Sequence, residues 1–420
     1  MMCAFDRQVI DRALPVVAAG LAGLLAPLLA CSPEARPSRE VVPGIEILAG
    51  DSSGILAGLR VGLITNHTGI SREATPAARL LLDAGIEVVA LFAPEHGLQG
   101  STDPGQPVQD HVDETSGLTV YSLYGERLTP DSTVLRNLDA LVFDIQDIGA
   151  RYYTYVSTMA EAMRAAAGFD LVFVVADRPN PIGGELVQGN ILDPAFASFV
   201  GLFSVAMRHG MTVGELALMF NREFEIGADL RVIPASGWRR SDWADDTGLP
   251  WIPTSPNMPD LESASHYPGT CLFEGTNLSV GRGTDRPFQQ IGAPWMNAER
   301  VLAGLSAETL PGVRLESVSF TPLGADDGKF EGRRVQGIRL EVTDRRLYDP
   351  TRTAVALLLA VRKSADTAWA WQPEAFDRLA GTDQLRIAVD SGAPADEIVN
   401  DWADARHHFE KSRARYLLYP

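Results

Sequence analysis

Short apolar runs recur along this chain, each ended by a polar or glycine-rich break. Residues 60–65 (RVGLIT), 87–92 (EVVALF), 140–143 (ALVF) and 171–176 (LVFVVA) read as buried strands. Between them, Ala78, Leu81 and Leu82 give helical spacing over 75–84, which stops at Gly85, and a second helix over about 154–167 stops at Gly168. This alternation of strand and helix predicts an α/β fold built on a parallel sheet. Thr212 and Glu215 form a capping-box pair ahead of a helix carrying Leu216, Leu218, Met219 and Phe220.

Periodicity fades where prolines crowd together, from about 250 to 268, so a domain boundary is expected near Glu262. Past it come a Gly-rich polar segment over 275–292, a helix starting at Asn297 and a strand over 337–342. A helix opened by Asp349 as N-cap and Pro350 at its first position follows, and then a helical tail over 396–416.

The N-terminus differs. Residues 14–29 are uncharged and apolar, too short and too interrupted by Pro and Gly for a comfortable membrane span, and they lead into Leu28-Leu29-Ala30-Cys31. That stretch resembles a bacterial lipoprotein signal, although Arg7 and Arg12 are offset by Asp6 and Asp11. The expected organisation is a signal over 1–30, a polar tether over 31–41 beginning at a lipidated Cys31, an N-terminal domain over 42–262 and a C-terminal domain over 263–420. The expected location is the cell envelope, lipid-anchored and exported, on the periplasmic side in a Gram-negative cell. With Cys3 removed and Cys31 acylated, only Cys271 remains, so no intramolecular disulfide is available, and Cys271 reads as a small core residue. A formal net charge of -18 over 420 residues argues against a nucleic-acid backbone as partner.

Candidate chemistry gathers where the strands end. The four runs lead into Asn66-His67-Thr68, Glu95-His96, Asp144-Ile145-Gln146-Asp147 and Asp177-Arg178-Pro179-Asn180. In a parallel sheet these termini share one edge, where open α/β sheets hold ligands. Each acid or amide taken singly also suits a helix cap. Glu95 fits that explanation least, because Gly97, Gly100 and Asp103-Pro104-Gly105 continue it as a loop, leaving an acid beside His96 for general acid or base work. A second concentration, 273–287, carries Glu274, Arg282, Asp285 and three glycines, suited to an anionic or polyhydroxylated ligand or to a purely structural loop. Arg151 and Tyr153 open the helix after the Asp144 strand, where a tyrosine face stacks on a sugar or packs the core. No serine sits on an obvious strand-to-helix elbow and no Walker loop occurs, and His67, His96 and Asp144 lack a metal-motif spacing.

The ordered blocks GLITNHTG (62–69), LFAPEHGLQG (91–100), FDIQDIGARYYTYVSTM (143–159), DRPNPIGG (177–184), RHGMTVGELA (208–217), TSPNMP (254–259) and YPGTCLFEGTNLSVGRGTDRPFQQIGAPW (267–295) resemble the exo-β-N-acetylmuramidase family typified by NamZ. FDRLAGT (376–382) and RYLLYP (415–420) extend the likeness to the C-terminus, and Thr254 is the one visible, minor departure. The resemblance implies a Rossmann-like N-terminal domain, a smaller α/β C-terminal domain and a site in the cleft between them. It implies release of β-1,4-linked N-acetylmuramic acid from the non-reducing end of peptidoglycan fragments, with no cofactor.

Glycoside cleavage needs a proton donor, and Glu95 is the expected one. Asp144 or Glu274 would activate water, or the substrate's 2-acetamido group would attack. Arg282 or Arg151 would pair with the lactyl carboxylate that separates muramic acid from glucosamine. Asn66, His67, His96, Tyr153, Asn257 and Asp285 complete the expected substrate contacts. The competing readings are a lipid-anchored protein that only binds peptidoglycan fragments, and a metal-dependent amidase or esterase.

Overall fold

Seven strands form the main sheet of the computed structural model: β1 (Arg60–Thr65), β2 (Glu87–Ala93), β3 (His111–Val112), β4 (Thr119–Ser122), β5 (Ala140–Asp144), β6 (Val172–Ala176) and, after a separate two-stranded ribbon of β7 (Gln188–Ile191) and β8 (Ala206–Arg208), β9 (Asp229–Ile233). Their order is β3-β4-β2-β1-β5-β6-β9, parallel throughout except for β3. The structure describes residues 40–50, 54–305, 308–365 and 367–420. The apolar run at 14–29, Cys31 and the tether up to residue 39 lie outside the described residues.

Alternation along each strand assigns its two faces. Val61, Leu63, Leu91, Val142 and Val174 point to one side, against α1 (Gly44–Ala49) and α2 (Ala77–Asp83). Past the short α3 (Ser132–Leu135), α4 (Tyr155–Gly168) and α5 (Val213–Glu223) cover the other face, where Ile64, Phe92, Phe143 and Phe173 meet Met159, Met163 and Leu216. Each such side chain contributes roughly 1.5–3 kcal/mol by leaving water. The predicted Thr212–Glu215 capping box is formed at α5. Asp177, read as a helix cap, accepts from Gly214 N at 2.8 Å and from the Thr212 hydroxyl at 2.7 Å. Burial pushes its carboxyl up to about 6, and the Tyr419 hydroxyl bonds the same Oδ2, so the C-terminal segment is fastened to the end of β6.

The second half starts with α6 (Leu261–Thr270), N-capped by Asp260 through Ser263 N at 2.8 Å. Glu262, where a boundary was expected, therefore sits in the first turn of a helix. A three-stranded antiparallel sheet follows in the order β10 (Gln290–Ala293), β12 (Val335–Val342), β11 (Val313–Phe320), with α6 and α7 (Ala298–Gly304) packed on it and α8 (Pro350–Ser364) lying against both helices. Asp349 caps α8 as predicted, and Asn297, where a helix was expected to start, is the N-cap of α7. The tail, expected as one helix, is two, α11 (Ala395–Asp401) and α12 (Ala403–Arg413), preceded by α9 (Pro373–Ala380) and α10 (Gln384–Ser391). The described residues, from 40 to 420, form one compact unit.

Candidate active site

Register places the predicted chemistry on one edge. β1 pairs with β2 through Ile64–Phe92 and with β5 through Thr65–Asp144, so the residues after these strands emerge side by side. Pro94 ends β2, and the chain turns through His96 and Gly97, both with positive φ (71° and 76°). The imidazole fixes the turn, its Nδ1 lying 2.7 Å from Thr102 O. The loop then returns over the strand end, and Gly105 N donates to Glu95 Oε1 at 3.0 Å. From the start of α4, the Thr154 hydroxyl donates to Glu95 Oε2 at 2.6 Å. Glu95 is thus a carboxyl only 8% exposed, held on both oxygens, with the Tyr124 phenol beside it and kept protonated by burial and that carboxyl.

His67 and Asn66 stand next to this group. Gly100 has φ 69°, and a Cβ there would lie 1.9 Å from His67 Cε1, so only glycine lets the loop cross the imidazole so closely. His67 Nε2 donates to Pro253 O at 2.7 Å, leaving Nδ1 buried as an acceptor without a partner. Burial holds this imidazole below its usual pKa against the Pro253 carbonyl. Asn66 Oδ1 accepts from Thr68 N at 2.9 Å and Thr68 Oγ1 at 2.6 Å. The Tyr155 phenol, which donates to Thr254 O at 2.5 Å, lies near Asn66, Tyr153 and Glu95. Tyr153 bonds Thr254 Oγ1 at 2.7 Å and meets the Tyr267 ring edge-on at 5.7 Å.

Tyr267 leads to the second group. Glu274 lies on the turn after α6, and its Oε1 accepts from Arg282 Nε at 2.7 Å. The Cys271 thiol, buried as expected, faces Oε2 at 3.5 Å. Arg282 also donates from Nη1 to Asp326 Oδ2 at 2.9 Å, and Asn257 Nδ2 donates to the same oxygen at 2.6 Å. Although burial opposes its charge, Glu274 and Asp326 hold the Arg282 guanidinium above its ordinary pKa. Lys329 Nζ closes the turn from beneath, donating to Glu274 O at 3.0 Å and Thr276 O at 2.9 Å.

Three predicted site residues are placed otherwise. Asp144 has no exposure, and both its oxygens are taken by Arg178, from Nε at 2.5 Å and Nη2 at 2.9 Å. Burial pushes its carboxyl up and Arg178 opposes that shift. An acid closed in this way is a structural ion pair under the sheet edge, not a base for water. Among the described residues no group of three or more His, Cys, Asp or Glu is arranged to hold a metal ion, so His67, His96 and Asp144 do not assemble as one. Arg151 is 1% exposed, with Nη1 on Asn190 O and Val205 O and Nη2 on Leu379 O and Ala380 O, so it ties the two halves and cannot reach a substrate carboxylate. Asp285, its side chain 87% exposed, faces solvent beside Arg286.

The model for the N-terminal part of the exo-beta-N-acetylmuramidase NamZ matches residues 61–262, and that for its C-terminal part matches 265–419. The peptidoglycan beta-N-acetylmuramidase NamZ of Bacillus subtilis (strain 168) is 42% identical over 382 residues, 90% of this chain and 92% of that protein. The chain belongs to the NamZ exo-β-N-acetylmuramidase family. Crystal structures of two DUF1343 family proteins from Bacteroides fragilis superpose on this NamZ-family chain with TM-scores of 0.83 and 0.75. Their identities are 34% and 32%, covering 91% and 90% of this chain and 100% and 99% of theirs. The candidate site also contains residues that the sequence did not single out: Thr154, Tyr124, Asp326 and Lys329. Thr154 lies among the tyrosines of the RYYTY run at 151–155, whereas Asp326 and Lys329 lie on a polar β11–β12 connection with no local signal.

Proposed function

We propose that this protein is an exo-acting glycoside hydrolase that releases terminal, non-reducing β-1,4-linked N-acetylmuramic acid from peptidoglycan fragments, with Glu95 as proton donor. The observation that carries this reading is Glu95 itself. It is a carboxyl withdrawn from water at the sheet edge, oriented by Thr154 and Gly105 and linked through Tyr153 and Tyr267 to a second carboxylate, Glu274. Protonation of the glycosidic oxygen by one acid, with the other serving water or the 2-acetamido group, meets the needs of this reaction. The side chain of Glu274, 24% exposed with Oε2 facing only a thiol, is the better placed of the two second candidates. Asn66, His67, His96, Tyr153 and Asn257 are proposed as substrate contacts around it.

Hydrolysis of a chromogenic N-acetylmuraminide tests the reading. Wild type releases the sugar, and Glu95→Gln loses roughly 10²–10⁴-fold in kcat. No release by wild type, with binding of the fragment intact, would instead make the protein a fragment-binding module. The proton NMR signal of the first-formed anomer separates water activation by Glu274 from attack that retains configuration.

The residues before 40 add a proposed location. Acylation at Cys31 would tether the enzyme to a membrane of the cell envelope on its exported side, where its polymer lies. Partitioning of the full chain into the detergent phase supports this anchor, and recovery in the aqueous phase would refute it.

A further inference from the structure

Muramic acid differs from glucosamine by a lactyl ether bearing a carboxylate, and the two arginines expected to read it are both engaged. Arg151 is spent on four backbone carbonyls, and Arg282 is shared between Glu274 and Asp326. Arg178 is likewise consumed by Asp144. Lys329 is different. Its Nζ is pinned beside the catalytic turn by Glu274 O at 3.0 Å and Thr276 O at 2.9 Å, which uses two of its three N–H donors.

The acids around it are turned elsewhere. Glu274 and Asp326 face Arg282, and Asp327 accepts from the Lys329 backbone N–H at 3.0 Å. Among the described residues no carboxylate comes within ion-pair distance of Nζ. Burial draws the ammonium below its usual pKa, with Asp327 and Glu274 opposing, so this cation has lost part of its hydration without gaining a direct counter-ion. A desolvated ammonium held rigidly by neutral carbonyls is suited to pair with an anion.

We propose that Lys329 is the anion-binding group of this site and takes the lactyl carboxylate of the muramic acid residue. The inference rests on the glycosidase reading above and deepens it, assigning the choice of muramic acid over glucosamine to the β11–β12 connection. The test compares dissociation constants of N-acetylmuramic acid and its methyl ester, which keeps the lactyl group and removes its charge. Wild type binds the acid roughly 10- to 100-fold more tightly than the ester, the worth of one charge-assisted hydrogen bond. Lys329→Met brings the two within about twofold of each other, and Lys329→Arg restores the preference. Damage to the turn would weaken both ligands alike and leave their ratio untouched, so the ratio reads charge recognition alone. A preference that survives in Lys329→Met, or no preference in wild type, overturns the proposal. Because binding is measured without turnover, failure of wild type to hydrolyse the muraminide would count against the glycosidase reading alone.

Discussion

Replacing Asp144 by Asn separates a structural acid from a catalytic one. In the wild type both carboxylate oxygens are bonded to Arg178, at 2.5 and 2.9 Å, and the two side chains are 0% and 5% exposed. Water cannot take over when the charge is removed, so the substitution leaves a guanidinium buried without a counter-ion, an error that costs about 3–5 kcal/mol. Arg178 keeps Ile70 O at 2.8 Å, and Asn supplies one acceptor, which places the expected loss near the low end, about 3 kcal/mol. Urea unfolding measures that loss, and kcat on an N-acetylmuraminide well below the transition measures chemistry per folded molecule. The expected rate falls less than about tenfold, below the range of a lost general acid or base. Removing both charges together, Asp144→Leu with Arg178→Met, recovers most of the stability because nothing charged is then stranded. The reasoning is refuted if Asp144→Asn stays within about 1 kcal/mol of wild type yet loses more than about 100-fold in kcat.

Two further outcomes follow from the same edge. Burial pushes the Asp147 carboxyl up to about 7, so the folded chain holds that proton to higher pH than the unfolded chain. Its stabilising contribution is complete below about pH 4 and is lost as pH rises through about 7, at about 1.4 kcal/mol per unit. Asp147→Asn does not titrate and should gain stability relative to wild type between about pH 4 and 7; a pH-independent difference in urea midpoints would refute this. His209, pushed down to about 3 by burial, runs in the opposite direction and lies 3.8 Å from Asp147, so both proteins are compared in a His209→Gln background. Gly100→Ala should cost roughly 1–2 kcal/mol from the left-handed backbone alone, with the methyl group also displacing His67. A thermal melt identical to wild type would contradict the loop path.

The four adjacent strands β2, β1, β5 and β6 were legible because they are largely buried on both faces and therefore read as continuous apolar runs. Strands exposed on one or both sides were not: β11 alternates half-exposed and exposed positions, and β9 has no fully buried residue. Helix caps at Thr212 and Asp349 could be read directly, since a cap is a contact between residues two or three positions apart. The expected single helix in the tail was broken by packing that local pattern does not record.

The candidate site divides in the same way. A strand followed by Pro and Gly put Glu95 at the sheet edge, a signal carried by residues close in sequence, whereas its partner Thr154 lies 59 residues away. Which acids remain open to a ligand is a matter of partners far along the chain: Arg178 lies 34 residues from Asp144, and Leu379 and Ala380 lie 228 and 229 from Arg151. Lys329 reaches Glu274 across 55 residues. Charge and hydrogen-bonding capacity are properties of a residue and can be read from a sequence. Whether that capacity is already satisfied depends on burial and on distant partners, and only the folded chain decides it.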